Sequence, residues 1–116
     1  MASNSLAVRM AWEPQRILQY TDVTSSYVAV GAGNLNPERL YILQNQTDAN
    51  LVFSFDGGVT DHLTLIAGSA FTGDITANKT IPDGAFLSKG IVTYVKAEGA
   101  LPTTGTIYLS ALYGVN

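Results

Sequence analysis

The sequence contains no cysteine. That absence excludes disulfide staples, thiolate catalysis and cysteine-ligated zinc, and it fits synthesis in a reducing compartment, the cytoplasm being the simplest. Charge is scarce as well. Charged residues occupy 13% of the 116 positions, about half the ~25% of an average soluble protein. So lean a supply leaves little to solvate the surface, and part of it is expected to be covered by another subunit, which makes a homo-oligomer or assembly component the expected state. The net charge of −3 and a pI near 4.7 argue against nucleic acid as the main ligand, because phosphate binding depends on clustered Lys and Arg. The basic residues Arg9, Arg16, Arg39, Lys79, Lys89 and Lys96 never adjoin and read as dispersed surface charges. No apolar run approaches the ~20 residues of a membrane-spanning helix. The start MASNSLAVRM also lacks the basic stretch and long apolar core of a secretory signal. No membrane partner is expected.

What the chain does contain is short alternating segments between turns. Leu51, Phe53 and Phe55 alternate with Val52, Ser54 and Asp56, and the run stops at Asp56-Gly57-Gly58, where glycine can take the positive φ of a tight turn. Leu6, Val8, Met10 and Trp12 alternate with Ala7, Arg9, Ala11 and Glu13 until Pro14 ends the run. This first segment, residues 1–15, is expected to be a strand or an arm, pairing in its own sheet or lying across a neighbouring subunit. Its four apolar residues are the candidate interface. Further strands are expected at Arg16–Tyr20, Tyr27–Val30, Arg39–Gln44, Leu51–Phe55, His62–Ile66, Ile91–Lys96 and Thr106–Leu112, about eight in all. Asn34–Arg39 reads as one short helical turn with Pro37 in its first position. Residues 70–89 read as a long connection with a brief strand at Ala85–Leu87, and residues 98–105 as an exposed, mobile tip. Short strands at this spacing, with no helical crossovers, indicate an all-β protein. A single-domain antiparallel β-sandwich over residues 16–116, of jelly-roll or Greek-key type, is expected.

Reactive constellations are missing from this pattern, so no catalytic residue, cofactor or metal is expected. His62 is the only histidine and adjoins Asp61. Neighbours in a strand project to opposite faces, so Asp61 is badly placed to orient it as a general base, and a local hydrogen-bonding role is expected instead. Asp48, Asp56, Asp61, Asp74 and Asp83 fall in expected turns. None forms a D-x-D-x-D calcium loop, and capping of their own backbone accounts for each. Ala67-Gly68-Ser69-Ala70 lacks the second glycine of a nucleophile elbow. Asn45-Gln46-Thr47 and Asn78-Lys79-Thr80 match the glycosylation acceptor pattern but read as turn residues. The six tyrosines lie mostly in expected strands, where cross-strand packing is a commoner use than sugar stacking.

Asn45 to Asp48, Val52 to Gly58, Asp61-His62, Gly68, Asp74-Ile75 and Asn78, followed by Leu87 to Val92 and Ile107 to Gly114, together resemble a pattern found in small structural proteins of tailed bacteriophages. The resemblance covers about two thirds of the chain. It implies a non-enzymatic virion component made in the host cytoplasm, and the first expectation is a capsid decoration or cement protein contacting itself and the major capsid protein. A neck, collar or tail accessory protein at the head-tail junction is the alternative implied, and a host-glycan-binding module is a third.

Overall fold

A computed structural model describes residues 9–74 and 88–115. Nine strands run through them: β1 (Arg9–Trp12), β2 (Arg16–Gln19), β3 (Val28–Ala29), β4 (Glu38–Thr47), β5 (Leu51–Ser54), β6 (Leu63–Leu65), β7 (Ala70–Asp74), β8 (Tyr94–Ala97) and β9 (Gly105–Val115). All pairings among them are antiparallel. One sheet has the order β1-β9-β4-β7, with β2 also on β9, and the other has the order β3-β8-β5-β6. β1 and β2 pair with successive stretches of the same edge of β9 and act as two halves of one strand. Pro14 lies at the break, where a residue without an N–H cannot continue the ladder. Counted that way, eight strands pass back and forth between two four-stranded sheets, which is the jelly-roll form of the expected β-sandwich.

The side-chain period of two decides which face each strand buries. In β4, Tyr41, Leu43, Asn45 and Thr47 point inward, and in β9, Ile107, Leu109 and Ala111 do so opposite them. Leu51, Phe53, Leu65, Val95 and Ala97 of the second sheet close the same core. Each fully buried Leu, Ile or Phe in it contributes roughly 1.5–3 kcal/mol. Two polar devices tie the layers together. Tyr41 Oη hydrogen-bonds Thr93 Oγ1 across the sandwich. Asn45, with no exposed surface, donates from Nδ2 to the carbonyls of Ala49 at 2.9 Å and Leu65 at 3.0 Å while its Oδ1 accepts the Thr47 N–H.

Several expectations are corrected. Ala70–Asp74 is a strand paired along β4, within the stretch read as irregular connection. Asn34–Arg39 forms no helical turn, since β4 already begins at Glu38, whereas Tyr20–Asp22 forms a 3-10 turn at the end of β2. Asn45 and Thr47 are buried strand residues and not turn residues, so the first glycosylation pattern is closed in the folded chain. The 98–105 loop is exposed, but Asp48 pins it by accepting the Thr103 N–H at 2.8 Å and the Thr104 N–H at 3.3 Å. The strand expected at Ala85–Leu87 lies outside the described residues.

Gly105 opens β9 with φ of 104°, and a Cβ there would fall 2.0 Å from the Gln46 carbonyl oxygen. Gly105→Ala is therefore expected to cost about 2 kcal/mol or more, combining backbone strain with a main-chain clash. That corresponds to a fall in Tm of roughly 8 °C, measurable by differential scanning calorimetry.

Candidate functional site

Two features of the five-stranded sheet stand out, one beneath it and one on its outer surface. Beneath it lies a cluster of buried charge. Glu13 is 4%, Arg16 8% and Glu38 0% exposed. Arg16 Nη2 donates to Glu13 Oε1 at 2.8 Å and to the Gly33 carbonyl at 2.8 Å, and its Nε donates to the Ala32 carbonyl at 2.9 Å. Glu13 also accepts the N–H groups of Leu35 at 3.2 Å and Asn36 at 2.9 Å. The β1–β2 break is thereby bolted to the loop that leads into β4. Gly31, with φ of 71°, lets this loop lie against the aliphatic stem of Arg16, where a Cβ would come within 2.8 Å.

Glu38 completes the cluster as an acid. Neither of its carboxyl oxygens has a hydrogen-bond partner, and a buried carboxyl without donors is stabilised in its neutral form. Burial above all, then the neighbouring Glu13 carboxylate, push its pKa up to about 8 against the opposing pull of Arg16. For Glu13, burial works upward, but the Glu38 carboxyl beside it and the hydrogen bonds from Arg16, Leu35 and Asn36 outweigh it and lower the pKa to about 2. The two carboxyls hold one proton between them over the intervening range, a coupled pair. Full enclosure denies the pair any substrate, so its role is structural. Sequence reasoning placed Arg16 and Arg39 among dispersed surface charges. Both are buried, Arg39 at 4% exposure, whereas Arg9 and Lys89 are exposed as expected.

The outer surface of the same sheet carries the alternate residues. Register aligns Trp12, Leu112 and Leu40 in one row across three strands and Ile17, Tyr108 and Gln44 in another. Trp12 is 60%, Ile17 49% and Met10 40% exposed. Met10 and Trp12 thus share a face, as alternation predicts, and that face looks outward from a strand paired within the chain's own sheet. Leu6 and Val8, the other two candidate interface residues, lie outside the described residues. Asp74, opposite Leu40 on the outermost strand, is the one charged residue on this face among the described residues.

The remaining candidates for chemistry are engaged locally. His62 Nδ1 accepts the Phe55 N–H at 3.0 Å, which leaves the neutral ring's proton on Nε2, and its ring packs on Phe55 at 5.7 Å. Asp61 does not orient it. Instead Asp61 accepts from Tyr27 Oη at 2.5 Å and pairs with Lys96 at 3.6 Å. Asp56 caps its turn, accepting from Ser54 Oγ at 2.7 Å and from the Val59 and Thr60 N–H groups at 3.1 and 2.9 Å. The Ser54 hydroxyl, followed by Thr60, holds its pKa far below the usual carboxylate range. Among the described residues no three His, Asp or Glu side chains converge as metal ligands. Neither any protein-family model nor any curated protein matches the chain.

The carboxyl pair makes stability depend on pH. Between about 4.5 and 8 the folded chain keeps the Glu38 proton that the unfolded chain releases, so stability falls as pH rises through this window. The ionised Glu13 contributes in the opposite sense, and its share is lost as pH falls from 4.5 toward 2. Urea melts across pH are expected to show a downward alkaline limb in the native chain that is flattened in Glu38→Gln. An unchanged limb in the variant would remove Glu38 as its source.

Proposed function

We propose that the chain is a non-enzymatic structural protein of a phage virion, in its most concrete form a capsid decoration or cement protein that stabilises the head through repeated contacts with itself and with the major capsid protein. The observation that carries this reading is the outer face of the five-stranded sheet, where exposed Trp12, Ile17 and Met10 sit on a surface almost without charge. A protein of this kind adds no chemistry. It holds a shell by burying apolar area at many symmetry-related contacts. The scarce charge supports the same reading, because Glu13, Arg16, Glu38 and Arg39 are buried, leaving the exterior leaner still than composition suggests. The jelly roll occurs in viral capsid proteins and lectins alike, and it adds weight only as an analogy of fold.

A neck, collar or tail accessory role uses the same physics at lower copy number. Glycan binding is less well supported: the Tyr27 ring at the exposed loop end is covered by Lys96 Nζ, 4.7 Å from its centroid, and its hydroxyl is committed to Asp61.

Quantitative mass spectrometry of purified particles, with the major capsid protein as internal standard, separates these readings. Copies in the hundreds are expected for a decoration protein. A few to a few dozen would transfer the assignment to the neck or tail, and absence from particles would overturn the virion reading.

A further inference from the structure

We propose that the outer face of the five-stranded sheet is the contact between two copies of this chain, packed sheet against sheet about a twofold axis. The inference rests on the reading of the chain as an assembly component and names the partner and the surface that reading requires.

Three observations lead to a second copy. The first is chemical. Trp12, Ile17 and Met10 are the most exposed apolar residues of the sheet face, and Tyr108 on β9 and Leu40 and Ile42 on β4 continue it inward from that edge, half-buried. Gln44, Gln46, Thr72, Thr106 and Ser110 fill most of the remaining outward positions, without charge. A face with no charge pattern cannot select a partner by electrostatic complementarity, and the surface it fits best is one equally uncharged and apolar. Another copy of itself meets that condition without any further requirement.

The second observation is area. β4 and β9 are 10 and 11 residues long. At ~3.4 Å per residue and ~4.8 Å per strand over four strand widths, the face spans roughly 35 by 20 Å, about 700 Å². A standard specific interface buries about 800 Å² per partner, so one such face nearly suffices, and each copy supplies one.

The third is symmetry. An isologous contact places each patch against its own equivalent. Two twisted sheets pack face to face at about 10 Å with strands near −30°. In that arrangement the apolar row Trp12–Leu112–Leu40 of one copy can lie on the Ile17–Tyr108 row of the other, and the reverse contact follows from the twofold. Asp74 sits on the margin strand, where a charge can remain solvated.

Trp12 is the only tryptophan of the chain, so its fluorescence reports on this face alone. The full-length chain should be followed by sedimentation velocity and Trp12 emission over a dilution series, beside Ile17→Glu and a control, Thr64→Glu, at an exposed position of the other sheet. Circular dichroism melts establish that each variant is folded. The expected result is a dimer whose Trp12 emission moves to the red on dilution. Ile17→Glu should weaken it by at least about tenfold, the effect of placing a charge where an exposed apolar anchor stood, and Thr64→Glu should leave it unchanged. Should Ile17→Glu fail to fold, Trp12→Ala read by sedimentation takes its place.

A monomer at every concentration overturns the proposal. So does a dimer indifferent to Ile17→Glu and Trp12→Ala, a trimer or ring, or a monomer with blue-shifted Trp12, in which the chain covers its own face. Particle copy number keeps the two levels apart. A dimer absent from particles refutes the virion reading and leaves the interface standing, whereas an abundant virion protein that is monomeric in solution with an exposed Trp12 refutes the interface alone.

Discussion

The antiparallel ladder between β4 and β9 is the constraint on which the rest of the molecule depends. It runs from Thr47 opposite Gly105 to Glu38 opposite Tyr113, with one irregularity between Glu38 and Leu40. Every other strand of that sheet hangs on it: β1 and β2 on the free edge of β9, β7 on the free edge of β4. Its inward residues, Tyr41, Leu43, Ile107 and Leu109, make one wall of the core that the second sheet closes. The ladder also fixes register. A slip of one residue would exchange this inner set for Ile42, Gln44, Tyr108 and Ser110, placing an amide and two hydroxyls in the core.

The irregular end of the ladder is where the buried charge gathers. At Glu38 the strand enters the sheet, and the carboxyl pair with Arg16 holds the β1–β2 break against the incoming loop. An apolar cluster of similar volume could fill this space at lower desolvation cost. What the charged cluster adds is direction. Arg16 must find the Ala32 and Gly33 carbonyls and Glu13 at once, a set of bonds that one loop path satisfies. The same sequestration strips charge from the exterior, so the uncharged sheet face and the charged interior are two sides of one allocation.

The sequence made the long, patterned strands readable because their alternation is strong. β5 and β9 were found within a few residues, and the sandwich followed from their spacing. β7 was missed because Ala70-Phe71-Thr72-Gly73-Asp74 is exposed at almost every position. Nothing in its residues records a buried face, and it is a strand because β4 offers an edge. The buried charges were missed for the opposite reason. Alternation assigns charged residues to solvent, and only the position of Arg16 two residues from Leu18, on the face that Ile17 leaves, hints otherwise. Asn45 was read through a short acceptor pattern when its meaning lay in three carbonyl and amide partners brought together by tertiary structure. The outward direction of Met10 and Trp12 was likewise out of reach, since alternation says which residues share a face but not which face is inside.

The position of β9 in the sheet has a consequence for the order in which the molecule can be completed. β9 lies between strands that precede it in the chain by some sixty residues or more, and of the nine strands it is the last to leave the ribosome. Until then β1, β2 and β4 lack their common partner, and β4 presents an open ladder edge. Such contacts, distant in sequence, close slowly, and exposed edges in a crowded nascent state invite pairing with other chains. The fold is thus held back until β9 inserts between strands already made, and the concentration of half-finished chains sets how many of them go astray.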